Sequence, residues 1–210
     1  MTAVTVRPAG DRALLLEPDD AAQLPVLLDQ LRHAPIDGVA DLLPAATTVL
    51  LTLRAGADVA VIENRLRTLV LDSGTADHAG TAADPVTVPV RYDGPDLAAA
   101  ADLLGITTRE LVDRHTGAEW YCAFIGFAPG FGYLQAPRAQ LTVPRRAQAR
   151  TVVPAGSVAL AGGYSAIYPR SSPGGWQLIG RTDLALWDQD RPEPALLRAG
   201  TRVRFVAVER

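Results

Sequence analysis

Between Val153 and Thr182 the chain reads VPAGSVALAGGYSAIYPRSSPGGWQLIGRT, with six glycines and three prolines set around Tyr164, Tyr168 and Trp176. So much glycine excludes a packed helix, because each interior glycine weakens one by roughly 1 kcal/mol relative to alanine. Aromatic side chains at this spacing exclude a flexible linker, which is built from small and polar residues. Short extended segments joined by turns remain, and the flanking sequence agrees. After Glu119, apolar runs at Trp120–Phe127, Val152–Val153, Val158–Leu160, Trp176–Trp187 and Arg202–Val208 lie between Gly/Pro turns. Many short strands at such intervals predict a β-barrel or a rolled sheet. In Trp176–Trp187, alternation places Trp176, Leu178, Thr182, Leu184 and Leu186 on one face. Gln177, Arg181 and Asp183 fall on the other, so that this strand lines a site with Arg181.

The first half has a different rhythm. Val4–Arg7 and Ala13–Glu17 read as strands around the turn Pro8-Ala9-Gly10-Asp11. Leu24–Leu31 fits a helix with Pro25 in its first turn, where a missing N–H is harmless. Val39–Leu43 and Thr47–Leu53 form a second strand pair, and from Asp58, a good N-cap, Val59, Ile62, Leu66 and Leu69 recur at helical spacing. The order strand, strand, helix, strand, strand, helix predicts an α+β sandwich over residues 1–71. Residues 72–85, DSGTADHAGTAADP, have nothing to bury and read as a linker. Residues 86–210 form the second domain. It opens with the alternating strand Val86–Tyr92, whose Pro89 demands an edge or a bulge. A helix from Gly94-Pro95-Asp96 to Gly105 follows, then another with capping-box spacing at Thr107–Glu110, closed by Gly117.

Composition excludes several classes of function. The 210 residues are 48% hydrophobic with a net charge of −3, which argues against a nucleic-acid partner. No apolar run approaches a membrane span, so no membrane is expected either. Cys122 is the only cysteine, which rules out an internal disulfide and suits a reducing, cytoplasmic location. All 20 basic residues are arginine. There is accordingly no Walker-type GxxxxGK[ST] loop, no Schiff-base lysine and no lysine to carry biotin. No His/Cys/Asp/Glu cluster has metal-ligand spacing, so no metal is expected.

A set of motifs resembles one family. They are Phe124–Leu134 (FIGFAPGFGYL), Thr142–Arg146 (TVPRR), Val153–Val158 (VPAGSV), Tyr168-Pro169 and Ser172–Thr182 (SPGGWQLIGRT), with weaker matches at Gly10–Leu14 and Leu43-Pro44. Together they resemble the B component of 5-oxoprolinase, also called allophanate hydrolase subunit 1, in a family that includes the kinase inhibitor KipI. The resemblance covers nearly the whole chain. It departs at Gly132, where proline is common in the family. It implies an N-terminal α+β domain followed by a cyclophilin-like β-barrel. It also implies a C-component partner (allophanate hydrolase subunit 2), a separate A component, and cleavage of the small amide 5-oxoproline to glutamate at the expense of ATP. Since the chain lacks a Walker loop, arginines, backbone amides or another component of the complex must hold the nucleotide phosphates. The alternatives are an inhibitor of a sensor histidine kinase, without catalysis, and a carboxyltransferase or allophanate-hydrolase role in urea metabolism.

Within that resemblance the candidate residues can be named. A planar guanidinium holds a carboxylate or phosphoryl group through two parallel hydrogen bonds, which makes Arg145, Arg146 and Arg181 the catalytic candidates. Their alternative is simple pairing with Asp or Glu. His115 is the histidine placed for chemistry, but it shares a helical face with Leu111, so a satisfied buried role is the competing reading. His115, Ser157 and one of several aspartates are not read as a hydrolytic triad, since no GxSxG elbow surrounds a serine. Phe131, Tyr133, Ser157, Tyr168, Pro173, Gly174, Gly175 and Trp176 are the candidate substrate- or partner-binding residues. The aromatics among them suit a preorganised pocket or a partner surface, or else they cap the barrel.

Overall fold

Leu14 and Leu16 are fully buried while Leu15 and Glu17 between and beside them are not, and this alternation sets the first sheet. The structure, a computed structural model, describes residues 4–20, 23–68 and 84–209. The chain divides into two compact units, Met1–Ala79 and Gly80–Arg210. Residues 72–83 of the expected linker lie outside the described residues, as does Leu69.

The first unit contains β1 (Val4–Pro8), β2 (Ala13–Pro18), α1 (Leu24–His33), β3 (Val39–Pro44), β4 (Val49–Leu53) and α2 (Val59–Arg67). Its antiparallel sheet has the order β1-β2-β4-β3, with Leu14 opposite Leu51 and Leu16 opposite Val49. Leu27 and Leu31 of α1 and Ile62 and Leu66 of α2 pack on that one buried face. Asp58 caps α2 by accepting the N–H groups of Ala60 and Val61, a contact that contributes about 1 kcal/mol. The result is the expected α+β sandwich.

The second unit contains β5 (Val86–Val90), α3 (Leu97–Leu104), α4 (Thr108–Gly117), β6 (Trp120–Ile125), β7 (Gly132–Gln135), β8 (Arg150–Val153), β9 (Ser157–Ala161), β10 (Tyr164–Ile167), β11 (Ser172–Gly174), β12 (Gln177–Arg181) and β13 (Arg202–Ala207). Seven strands form one sheet in the order β12-β9-β10-β7-β6-β13-β5, and β8 and β11 form a separate two-stranded ribbon. Pro89 lies on the terminal strand β5, where its missing donor is tolerated. The two ends of the sheet meet. Arg91 and Arg181 exchange backbone hydrogen bonds of 2.9 Å each, which nearly closes the sheet into a barrel. Gly94 and Gly180 allow this seam, because a Cβ on either would run into backbone of the facing segment. The cyclophilin-like barrel that the resemblance implies is the fold of this unit.

Every strand of the barrel sends side chains inward. Val88, Trp120, Leu134, Leu160, Ile167, Ile179 and Phe205 share one core with Ala100 and Ala101 of α3 and Leu111 of α4. A second cluster, containing Phe131, Val153, Ala159, Ala166, Tyr168, Trp176 and Leu178, lies on the other side of β9, β10 and β12. The strand expected over Trp176–Trp187 is shorter, ending at Arg181, and a register shift between Leu178 and Gly180 breaks its alternation. The expected common face therefore splits. Trp176 and Leu178 join the outer cluster, while Leu184 and Leu186 pack with the barrel core. Strands β7, β10 and β11 have no counterpart in the strand pattern of the sequence. Among the described residues, no helix is long and apolar enough to cross a membrane.

Candidate functional site

The outer cluster is an aromatic layer. Phe124 and Tyr133, paired across β6 and β7, stack at 4.2 Å. Tyr133 meets Trp176 and Tyr164 edge-on at 5.6 and 5.7 Å, and Phe131 meets Tyr168 and Trp176 at 5.3 and 5.7 Å. Edge-to-face geometry suits the ring quadrupoles and fixes each ring against the next. The chain from Gly174, the last residue of β11, to Trp176 packs against this layer. The Trp176 N–H reaches the Tyr168 hydroxyl, and a Cβ on Gly174 would strike that hydroxyl, so glycine is required there. The Gly175 carbonyl accepts the Arg146 N–H at 2.7 Å. Ser157 is buried and donates to the Pro154 carbonyl at 2.8 Å, which makes it a turn-holding residue.

Three arginines are grouped by the sequence, and the structure gives them different surroundings. Arg146 donates to Asp96 Oδ1 at 2.6 Å, and Arg150 donates to the same oxygen at 2.7 Å. Asp96 Oδ2 takes the Leu178 N–H at 2.8 Å. Burial raises the Asp96 pKa, but the Arg150 and Leu178 hydrogen bonds and the two guanidinium charges outweigh it, and the carboxyl lies below its ordinary value. Arg181 sits at the barrel seam and donates to Asp93 at 2.6 Å in an exposed pair. Arg145 differs from both: among the described residues it has no carboxylate partner. Burial raises the pKa values of Tyr133 and Tyr168; the Arg145 charge works against that rise at both, and at Tyr168 so does the Trp176 N–H. From Trp120 to Thr182 the chain holds six arginines and no Asp or Glu, so any carboxylate that pairs with them comes from outside this stretch.

His115 lies elsewhere, inside the barrel and fully buried. The Tyr92 hydroxyl is 2.7 Å from its Nδ1 and Ser165 Oγ is 2.9 Å from its Nε2, so both ring nitrogens are occupied. Its ring packs at 4.2 Å on Phe205 and 4.9 Å on Trp120. Burial pushes its pKa down to about 3, so the ring is neutral at physiological pH. Among the described residues, no group of three or more His, Cys, Asp or Glu is placed to hold a metal ion.

Sequence reasoning misses Asp96, Arg150 and Phe127. Asp96 reads only as a helix start, since its arginine partners lie 50 and 54 residues away. Phe127 adopts φ +66° while the Ala128 N–H bonds the Gly126 carbonyl at 2.7 Å, a left-handed γ-turn that no local pattern announces.

Residues 4–197 match the family model of the carboxyltransferase domain, subdomain C and D. The chain belongs to this family. The B component of 5-oxoprolinase from Escherichia coli O157:H7 is 48% identical over 124 residues, covering 58% of this chain and 57% of that protein. The Bacillus subtilis protein of the same name is 44% identical over 126 residues, 59% of this chain and 52% of that one. The match thus spans little more than half of these relatives. Among solved structures, TTHA0988 superposes with a TM-score of 0.71 at 33% identity, over 98% of this chain and 41% of its own. PH0987 from Pyrococcus horikoshii gives 0.57 at 27% identity and 98% coverage of both chains. Urea carboxylase from Kluyveromyces lactis shares the fold, with a TM-score of 0.69 at 19% identity over 98% of this chain and 22% of that one.

Proposed function

We propose that this carboxyltransferase-domain chain is the B component of an ATP-dependent 5-oxoprolinase, inactive alone and completed by a C component (allophanate hydrolase subunit 2), with a separate A component. The observation that carries the reading is the combination of three relatives bearing that name, at 44 to 48% identity, with an aromatic face whose neighbour Arg145 has no carboxylate partner among the described residues. A five-membered lactam is a poor electrophile, and ATP supplies activation by phosphorylating its amide oxygen. The groups left for this chain are those that position and neutralise an anion. Arg145, whose charge acts on the Tyr133 and Tyr168 hydroxyls, holds the substrate carboxylate or the developing phosphoryl charge. Arg146 is already engaged by Asp96 and braces the turn through Gly175. The rigid aromatic layer excludes water from the anion's apolar side. His115, with both nitrogens occupied and no exposed surface, is a core residue in this reading.

Co-purification with the C component, followed by addition of the A component, ATP and 5-oxoproline, tests the proposal. Glutamate release that requires ATP and all three proteins is expected. Arg145→Lys keeps the charge but loses the two-point fork, and it should lower turnover at least about tenfold with an unchanged Tm. No glutamate release from the wild-type complex would overturn the assignment.

A further inference from the structure

Phe127 is held in a conformation its own backbone disfavours. A left-handed γ-turn at a bulky residue is strained, and such strain concentrates at functional positions. Glycines stand on either side at Gly126 and Gly130, yet the strained position itself carries an aromatic ring. The residue is 60% exposed, and among the described Phe, Tyr and Trp residues it is the one more than half exposed. Its base is rigid. It meets Phe131 at 5.1 Å and Tyr168 at 6.2 Å, both edge-on, and those two rings are almost wholly buried. Gly130 sets the far end of the same loop against Leu186 and Trp187, the latter 39% exposed. The strain thus holds a preordered aromatic in solvent, where it contributes little to the fold.

We propose that Phe127 is the anchor of the interface with which this chain meets the C component, entering an apolar pocket rimmed by carboxylates. The proposal rests on the functional reading above. The exposure favours a protein partner, because small ligands need a concavity and Phe127 projects from its loop into solvent. Protein interfaces centre on such fixed aromatics, whose ordering entropy is already spent. The charge specifies the rim. The stretch from Trp120 to Thr182 has no carboxylate of its own, and its exposed Arg138 and Arg170 have no carboxylate partner among the described residues, so the complementary surface is acidic.

The test is titration of the C component with wild type, Phe127→Asn and Phe127→Tyr by calorimetry. Asparagine accepts the left-handed backbone, so its variant should keep its Tm and bind about tenfold more weakly or worse. Tyrosine should restore near-wild-type affinity. Hydrogen exchange on the wild-type pair supplies a measurement free of any variant: amides 126–131 should slow on complex formation. An Asn variant that binds like wild type, or unchanged exchange at 126–131, overturns the proposal while leaving the 5-oxoprolinase reading intact. A wild-type chain that does not bind the C component overturns both. Self-association or binding to phosphatidylserine vesicles that depends on Phe127 would also overturn it, by naming a different occupant.

Discussion

His115 shows how one residue type supports two opposite readings until its surroundings are known. The helical spacing to Leu111 sets a buried role against a catalytic one, and the described neighbours favour the first: Tyr92, Ser165, Trp120 and Phe205 enclose the ring. A neutral buried histidine links stability to pH in a definite direction. Its folded pKa, near 3, lies below the ordinary unfolded value of 6.5. Above pH 6.5 the ring is neutral in both states and contributes no pH dependence. As pH falls from 6.5 toward 3, the unfolded chain takes up a proton that the folded chain refuses, and stability declines by a few kcal/mol, on the order given by the shift. Urea unfolding at pH 8, 6 and 4.5 should therefore show a steeper acid loss for wild type than for His115→Gln, whatever their difference at pH 8. Parallel curves would mean that the ring is protonated in the folded chain.

Elements were legible where their signals are local. Asp58 and Thr107 cap α2 and α4 as their spacing predicts, and Gly105 ends α3 in a left-handed conformation at φ +67°. Strands β7, β10 and β11 are three or four residues long, too short for alternation to register, and each is fixed by pairing with a partner instead. The over-long reading of β12 fails because the strand ends at Arg181, at the seam with Arg91, and its alternation is broken by the register shift between Leu178 and Gly180. The candidate site divides in the same way. Its aromatic motifs can be read in sequence, but which of the three candidate arginines lacks a carboxylate partner among the described residues cannot, because that depends on Asp93 and Asp96 from a distant segment. Asp96 ties three elements: the start of α3, β12 through the Leu178 N–H, and the 146–150 segment through two guanidiniums. Its side chain is 4% exposed, whereas Asp93, which pairs with Arg181, is 43% exposed. Removing the buried charge strands two partly buried cations, so Asp96→Asn should destabilise by about 3 kcal/mol or more. Asp93→Asn should change stability by less than about 1 kcal/mol. Equal shifts in the urea midpoint for the two variants would show that burial does not set the strength of these ties.

At the scale of the whole molecule, the two units differ in how their cores are built. The first buries leucines and valines between one sheet face and two helices, and the second fills a barrel and then covers part of its outside with aromatics. No residue is shared between those clusters, so each unit has the apolar burial needed for its own cooperative transition. Spectroscopy can separate them because Trp120, Trp176 and Trp187, the three tryptophans of the chain, all belong to the second unit. Leu51 is the sharpest perturbation of the first: it is fully buried on β4, opposite Leu14 and Leu42. Leu51→Ala removes buried methyl groups and leaves a cavity, at a cost of about 2–5 kcal/mol. Thermal unfolding followed by far-UV circular dichroism should then develop an earlier component, since both units contribute backbone signal. The tryptophan emission transition should keep its wild-type midpoint, because the barrel core loses nothing. A tryptophan midpoint that falls in step with the dichroism would show that the two units unfold as one block, and separate cores would then not mean separate stabilities.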